Sequence, residues 1–192
     1  VTNPDAYATP VYETFGYIGS VFATRTYNPG ITLQLYKKVT IEALGEWQLG
    51  GHNLNAAGYQ NANLRVWRPC FAAQEALKKA AVGDSSGLGG FTAMERARCT
   101  LNTSERDYSL WVEKADFFKL RSISATFELP TRYVRGARNA SLTLSGRNLF
   151  TKTDYTGFDP ESADKQDNTF GRRDYYTFGP YKTFLVSFRV GF

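Results

Sequence analysis

The sequence is poor in the residues from which metal and catalytic sites are built. It contains one histidine, His52, and two cysteines, Cys70 and Cys99, in 192 residues. Neither cysteine has a histidine or a second cysteine at metal-ligand spacing, which argues against a zinc site. A Ser-His-Asp triad would need His52, the G-x-S-x-G turn is absent, and the glycine-rich stretch 87–90 lacks the lysine of a phosphate-binding loop. We therefore expect neither an enzyme nor a bound cofactor or metal.

Long apolar runs are also missing. No stretch is long enough for a membrane-spanning helix, and the sequence shows no signal peptide. It begins with Val1 rather than methionine, which fits a piece of a longer protein. The net charge of +5 comes from basic residues scattered along the chain, so nucleic acid is not expected as a partner.

The clearest pattern is the segment 182–192, which alternates between apolar and mostly polar residues. Side chains on a strand alternate faces, so one face of this segment is apolar. A transmembrane barrel strand has this pattern, with apolar residues toward lipid and polar residues toward the lumen. An edge strand of a soluble β-sandwich is the alternative. The apolar face comprises Phe184, Val186, Phe188, Val190 and Phe192.

Four more segments alternate in the same way, at 31–36, 39–49, 117–129 and 140–150. The first two are joined by Lys37 and Lys38 and form a predicted hairpin. In the third, Phe118 and Leu120 are out of phase with the residues after Arg121, and a β-bulge there is one explanation.

Two long connections separate these strands. Residues 50–113 form the first, and its centre predicts a helix that begins near Pro69 and ends near Gly83. The two cysteines bound one polar segment, which favours a disulfide and an oxidising compartment, although two separate buried thiols are the alternative. Residues 151–181 form the second connection.

The connections alternate between short and long along the chain. Bacterial outer-membrane barrels have short periplasmic turns and long extracellular loops between antiparallel strands. We therefore predict an all-β fold, a segment of an antiparallel transmembrane β-barrel with about five visible strands and a partly helical extracellular loop.

Two stretches carry a family resemblance. EKADFFKLRSISATFELP, from Glu113 to Pro130, and GRNLFTKTDYTGFDPE, from Gly146 to Glu161, resemble motifs of TonB-dependent outer-membrane receptors of the SusC/RagA-like class. The motif residues are Glu113, Asp116, Arg121, Pro130, Gly146, Asn148, Leu149, Phe150, Asp154, Tyr155, Gly157, Asp159, Pro160 and Glu161.

The resemblance implies a C-terminal barrel fragment of such a receptor, in the bacterial outer membrane, with 182–192 as the strand that the assembly machinery recognises. It implies TonB-driven import of a bulky nutrient, an oligosaccharide or a peptide. The implied partners are outer-membrane lipid, the plug and N-terminal barrel of the receptor, the TonB complex through that missing part, and a SusD-like surface lipoprotein. The alternatives are a soluble secreted carbohydrate-binding module, or a small outer-membrane adhesin or pore.

Two loop features have weaker signals. Four acidic residues in 159–167 are Asp159, Glu161, Asp164 and Asp167. Calcium could bind them, but a solvated acidic loop is the default. Arg172 and Arg173 with Tyr175 and Tyr176 either contact a sugar or peptide or belong to an interfacial aromatic girdle. The sequence identifies no ligand-binding residues.

Overall fold

The computed structural model describes residues 17–101, 108–133, 136–162 and 172–192. These residues form two compact units. We call residues 22–51, 115–154 and 178–192 the sheet unit. The other described residues, which lie within 17–21, 52–114 and 155–177, form the loop unit.

The sheet unit contains a six-stranded antiparallel sheet. Its strands are β1 (Arg25–Tyr27), β2 (Gly30–Leu35), β3 (Val39–Leu49), β6 (Phe117–Glu128), β7 (Asn139–Thr153) and β9 (Thr183–Gly191). Strands β3, β6, β7 and β9 lie side by side in chain order, and β1 and β2 both pair with β3 at the opposite edge from β9.

The strand register sorts the side chains of this sheet into apolar and polar rows. Residues that pair across neighbouring strands lie on the same face. The central apolar row crosses five strands and consists of Leu33, Ile41, Ala125, Leu144 and Val186. The apolar row on one side of it consists of Leu35, Val39, Phe127, Leu142 and Phe188. The row on the other side consists of Ile31, Ala43, Ile123, Gly146 and Phe184.

The rows on the other face of the sheet are mostly polar. One of them consists of Gln34, Thr40, Thr126, Thr143 and Ser187. Within it, the hydroxyl oxygens of Thr126 and Thr143 lie 2.9 Å apart and share a hydrogen bond. The alternation that the sequence predicted for single strands is therefore aligned across the whole sheet.

The predicted irregularity at Arg121 is present. The β3–β6 register shifts between Leu44 and Gly45, and the β6–β7 register shifts between Leu120 and Ser122. The extra residue restores Phe118 and Leu120 to the apolar face, where they pair with Trp47 and Gly45.

The loop unit combines a small sheet with three helices. Strand β4 (His52–Asn55) pairs with β5 (Val112–Lys114) and β8 (Arg173–Asp174). Helix α1 (Ala56–Asn63) follows β4 directly, α2 (Phe71–Ala81) comes next, and α3 (Ala93–Arg98) precedes Cys99. Pro69 lies in a short 3₁₀ turn that leads into α2, and Gly83 follows its end with a φ of 98°. The predicted helix is thus present, and its α-helical part begins two residues later than expected.

Two expectations need correction. The sheet has a sixth strand, β1, which the sequence did not indicate because its three residues RTY are too short to show alternation. Residues 50–113 and 151–181, predicted as connections between strands, themselves contribute β4, β5 and β8. Pairing within the sheet unit is antiparallel, as predicted, whereas in the loop unit β4 pairs in parallel with β8. Within the described ranges, no helix combines the length and apolar character needed to cross a membrane.

Candidate functional site

Glu113, the first residue of the family motif, is the centre of a hydrogen-bond network in the loop unit. One carboxylate oxygen accepts from the guanidinium of Arg98 at 2.9 Å and from the hydroxyl of Thr156 at 2.7 Å. The other accepts from the backbone amide of Thr156 at 2.8 Å. The amide of Asn55, a fully buried residue, reaches the same hydroxyl at 2.9 Å. This network fastens the segment after β7 to β5 and to the start of α1.

Asp174 organises a second part of the same motif. Its side chain is fully buried, and Oδ2 accepts from the backbone amide of Phe158 at 2.8 Å and from the hydroxyl of Tyr155 at 3.3 Å. Burial raises the pKa of Asp174, while the hydrogen bond from Phe158 lowers it in part. Burial, followed by the charges of Asp174 and Glu113, raises the pKa of Tyr155 well above its usual range.

Gly157 is required by this packing. A Cβ atom at this position would lie 2.4 Å from the ring of Tyr155 and 2.5 Å from the carboxylate of Asp174. Both contacts are shorter than any van der Waals contact, and both neighbours are buried. The glycine of the T-x-Y-x-G motif is therefore a packing requirement of the motif itself.

In the described part of the acidic loop, Asp159 forms hydrogen bonds within the loop itself. Oδ1 of Asp159 accepts from the backbone amides of Glu161 and Ser162, which is an Asx-type turn, and Pro160 is buried beside it. Asp164 and Asp167, the other two acidic residues of the predicted calcium loop, lie outside the described residues. In the described ranges, His, Cys, Asp and Glu side chains form no group that could hold a metal ion.

The remaining motif residues lie in the sheet unit. Asp116 accepts from the backbone amide of Gly50. Asn148 has a φ of 53° and donates to the carbonyl of Tyr181 at 3.2 Å, and a Cβ on Gly146 would lie 2.8 Å from Leu149. Phe150 and Asp154 are exposed, and Pro130 follows the end of β6. The motif therefore serves two separate structural tasks, one in each unit.

Arg121 forms an ion pair on the mainly polar face. Its guanidinium lies 2.6 Å from the carboxylate of Glu46 and 5.9 Å from the ring centre of Phe117. The amine of Lys119, a side chain only 1% exposed, lies 5.2 Å from the same ring. Charged groups are thus concentrated on the face opposite the apolar rows.

The predicted disulfide is present. Cys70 and Cys99 are bonded, with 5.3 Å between their Cα atoms, and both are buried. They lie in a core with Trp111, Leu54 and Ala73. The bond joins the start of α2 to the end of α3.

Three residues of this site were missed in the sequence. Asn55 lies in a stretch rich in glycine and asparagine that indicates loops, while Arg98 and Asp174 lie outside the recognised motifs. No local signal marks them, because each gains its role from a partner 15 to 101 residues away. His52, the single histidine, begins β4 and is half-buried.

The comparisons with known proteins support the resemblance. No family model matches the chain. A curated relative, TonB-dependent receptor P3 of Formosa agariphila, is 26% identical over 156 residues, covering 72% of this chain and 16% of that receptor. The chain thus spans about a sixth of that relative.

Solved structures of a RagAB peptide importer share the fold. The closed-closed state matches with a TM-score of 0.63 and 19% identity, over 95% of this chain and 19% of that chain. The open-open state matches with a TM-score of 0.59 and 18% identity, over 91% and 18%. These relatives are named as a receptor and importers, none as an enzyme. The sequence relative and the shared fold together support the interpretation of this chain as a fragment of a TonB-dependent receptor.

Proposed function

We propose that this chain is barrel wall of an outer-membrane importer, with the apolar rows of the sheet unit against lipid and the polar rows toward the lumen. The observation that carries the proposal is the set of three apolar rows across five strands. In the central row, Leu33, Leu144 and Val186 are 47%, 43% and 68% exposed. A soluble module would leave this continuous apolar face in water, whereas lipid covers it at no cost.

Aromatic residues support the same orientation. Past the bulge, Tyr27, Trp47 and Phe118 pair across three strands on the apolar face, and Phe150 pairs with Leu120 beside them. They lie at the end of the sheet where β3 leads into the long connection. Barrels carry aromatic girdles at the membrane interfaces, so we assign this row to the outer interface.

The loop unit is then extracellular. It would face the nutrient and a SusD-like surface lipoprotein, while the plug, the rest of the barrel and the TonB complex act through parts of the receptor outside this chain. The substrate class is a bulky nutrient, an oligosaccharide or a peptide. The strand β9, an edge strand of the described sheet, is our candidate for the strand recognised in barrel assembly. Its candidate residues are Phe184, Val186, Phe188, Val190 and Phe192.

The membrane placement is tested by a pair of neighbouring substitutions on β7 in the full-length receptor. Leu144→Arg puts a positive charge on the apolar face. An arginine on the lipid face of a barrel destabilises it by about 2–4 kcal/mol near the bilayer midplane. Thr143→Arg puts the same charge on the polar face. We expect heat-modifiable, folded receptor in outer membranes to fall for Leu144→Arg and to stay near the wild-type amount for Thr143→Arg. Equal amounts of folded receptor for the two variants would contradict the assignment of the apolar face to lipid and the polar face to the lumen.

Import itself is tested by deleting the gene of the full-length receptor. We expect the strain to lose growth on a subset of oligosaccharides or peptides offered as sole carbon source, and a strain without TonB to lose the same subset. A deletion strain that grows on every nutrient like its parent would contradict the import function.

A further inference from the structure

The apolar face of the sheet unit contains an open hollow. Its volume is about 510 Å³, which lies in the range of sites that bind small ligands. The hollow spans strands β3, β6, β7 and β9, and most of its lining belongs to the central apolar row and the row beside it. The larger apolar side chains that line it are Ile41, Ile123, Leu144, Leu149, Phe184 and Val186.

The hollow originates in the shape of β7. Gly146 stands in the apolar row beside the central one and contributes no side chain there. Next to it, the β6–β7 register shift places two residues of β7, Asn148 and Leu149, opposite the single residue Arg121 of β6. Asn148 has a left-handed φ of 53°, and a Cβ added to Gly146 would lie 2.8 Å from the side chain of Leu149. A glycine and a bulge therefore shape this part of the apolar face.

The hollow lies at the depth of the outer leaflet when the apolar face is placed against lipid. Trp47 belongs to the aromatic row that we assign to the outer interface, while Ala43 and Ile41 belong to the two rows of the hollow, four and six residues away along β3. At about 3.4 Å per residue and a strand tilt of about 40°, the hollow lies about 10 to 15 Å below the interface. The hydrocarbon core is about 30 Å thick, so this depth is within its outer half.

A cation lies above the hollow on the same face. Lys152 is on β7, as Leu144 and Gly146 are, and it pairs with Phe118 in the aromatic row. Its side chain is exposed. A lysine at this level can extend its amine to the headgroups while its methylene groups remain on apolar surface. Among the described residues that line the hollow itself, none is charged. An apolar hollow below a cation is complementary to a lipid that carries both acyl chains and a phosphate group.

We propose that the hollow binds an acyl chain of a phosphorylated glycolipid of the outer leaflet, the lipid A class, and that Lys152 binds its phosphate. The proposal rests on the placement of the apolar face against lipid. A lipid of the inner leaflet would have its phosphate at the opposite end of the sheet, far from Lys152. The site is thus specific for the leaflet as well as for the chemistry of the lipid.

The acyl-chain part is tested by native mass spectrometry of the full-length receptor, which is freed of lipid in detergent and titrated with diphosphoryl lipid A. We expect saturable binding. Ile123→Trp fills the hollow and should weaken binding about tenfold. Ile31→Trp is the matched control, because Ile31 lies in the same apolar row, is 55% exposed and does not line the hollow. Its affinity should stay near that of wild type.

The phosphate part is tested by the same titration with variants of Lys152. Lys152→Gln removes the cation and should weaken the binding of diphosphoryl lipid A several-fold, whereas Lys152→Arg keeps the cation and should retain most of the affinity. With lipid A from which both phosphates have been removed, Lys152→Gln and wild type should bind equally. Phosphatidylglycerol serves as the comparison lipid and should bind more weakly than diphosphoryl lipid A.

Three outcomes would overturn the proposal. They are the absence of saturable binding of diphosphoryl lipid A, equal affinity of Ile123→Trp and wild type, and phosphatidylglycerol binding as tightly as lipid A. The proposed importer function would survive these outcomes, because it is judged by the Leu144→Arg and Thr143→Arg pair and by growth of the deletion strain. Equal assembly of that pair would instead contradict the membrane placement itself.

Discussion

The carboxylate of Glu113 accepts hydrogen bonds from both the backbone amide and the hydroxyl of Thr156, at 2.8 and 2.7 Å. Two motifs that are 43 residues apart in the chain therefore meet through one side chain. The arginine at position 98 completes the arrangement with an ion pair to the same carboxylate at 2.9 Å.

We predict that Glu113→Gln loosens the loop unit. The substitution removes the negative charge opposite Arg98 and places an amide donor near the donors of Thr156. Loss of a mostly buried ion pair and its hydrogen bonds lowers the free energy of unfolding by about 2–3 kcal/mol. Hydrogen exchange of the full-length receptor should show faster exchange in 155–162. Glu75→Gln breaks an exposed helix pair with Lys78 and is the control, with exchange expected to be unchanged. Equal exchange in the two variants would contradict the role of Glu113.

Asp174 is predicted to make the loop unit less stable as the pH rises. Burial raises its pKa in the folded state above the ordinary 3.8, so between these two values the folded state holds more protons than the unfolded state. Stability from this group is therefore present below pH 3.8 and lost as the pH rises through the folded-state pKa. In Asp174→Asn this pH dependence should be absent.

The measurement is the exchange protection of the amide of Phe158 and its neighbours in wild type and Asp174→Asn, from pH 4 to pH 7. We expect the ratio of protection between the two proteins to change with pH. A constant ratio would show that Asp174 does not titrate differently in the folded state. Tyr155→Phe removes a hydrogen bond to the carboxylate and should move the transition to higher pH.

The disulfide is predicted to stabilise the helical part of the loop unit. Closing the 29-residue separation between Cys70 and Cys99 lowers the entropy of the unfolded chain and contributes about 3–4 kcal/mol. The double variant Cys70→Ser, Cys99→Ser should be cleaved faster by protease between α2 and α3, with the sheet unit unaffected. Thiol titration of denatured, unreduced receptor checks the bond directly, and two reactive thiols would disprove it.

The apolar face of β9 is predicted to matter for barrel assembly. Phe188 pairs with Leu142 in an apolar row, and the next residue, Ser187, pairs with Thr143 on the polar face. Phe188→Ser should lower the amount of receptor in the outer membrane, while Ser187→Ala should leave it near normal. Membrane fractionation with surface labelling measures both. Normal assembly of Phe188→Ser would count against β9 as the recognised strand.

Local patterns in the sequence predicted five of the six strands of the sheet unit and the faces of those strands. Alternation is a local property, written into neighbouring residues, and even the change of phase at Arg121 was visible as a bulge. The helix after Pro69 followed from composition, and the disulfide from the positions of two cysteines. The motif stretches carried the family resemblance.

Only the tertiary structure decided which residues meet. The parallel pairing of β4 with β8 joins segments about 119 residues apart, and it buries Asp174 beside the glycine motif. The ring contacts of Tyr59 with Tyr108 and of Phe158 with Tyr176 join residues that are 49 and 18 positions apart in the chain. Contacts between distant segments depend on register, burial and hydrogen bonding that no local pattern encodes, so neither these ring contacts nor the Glu113 network could be derived from the sequence.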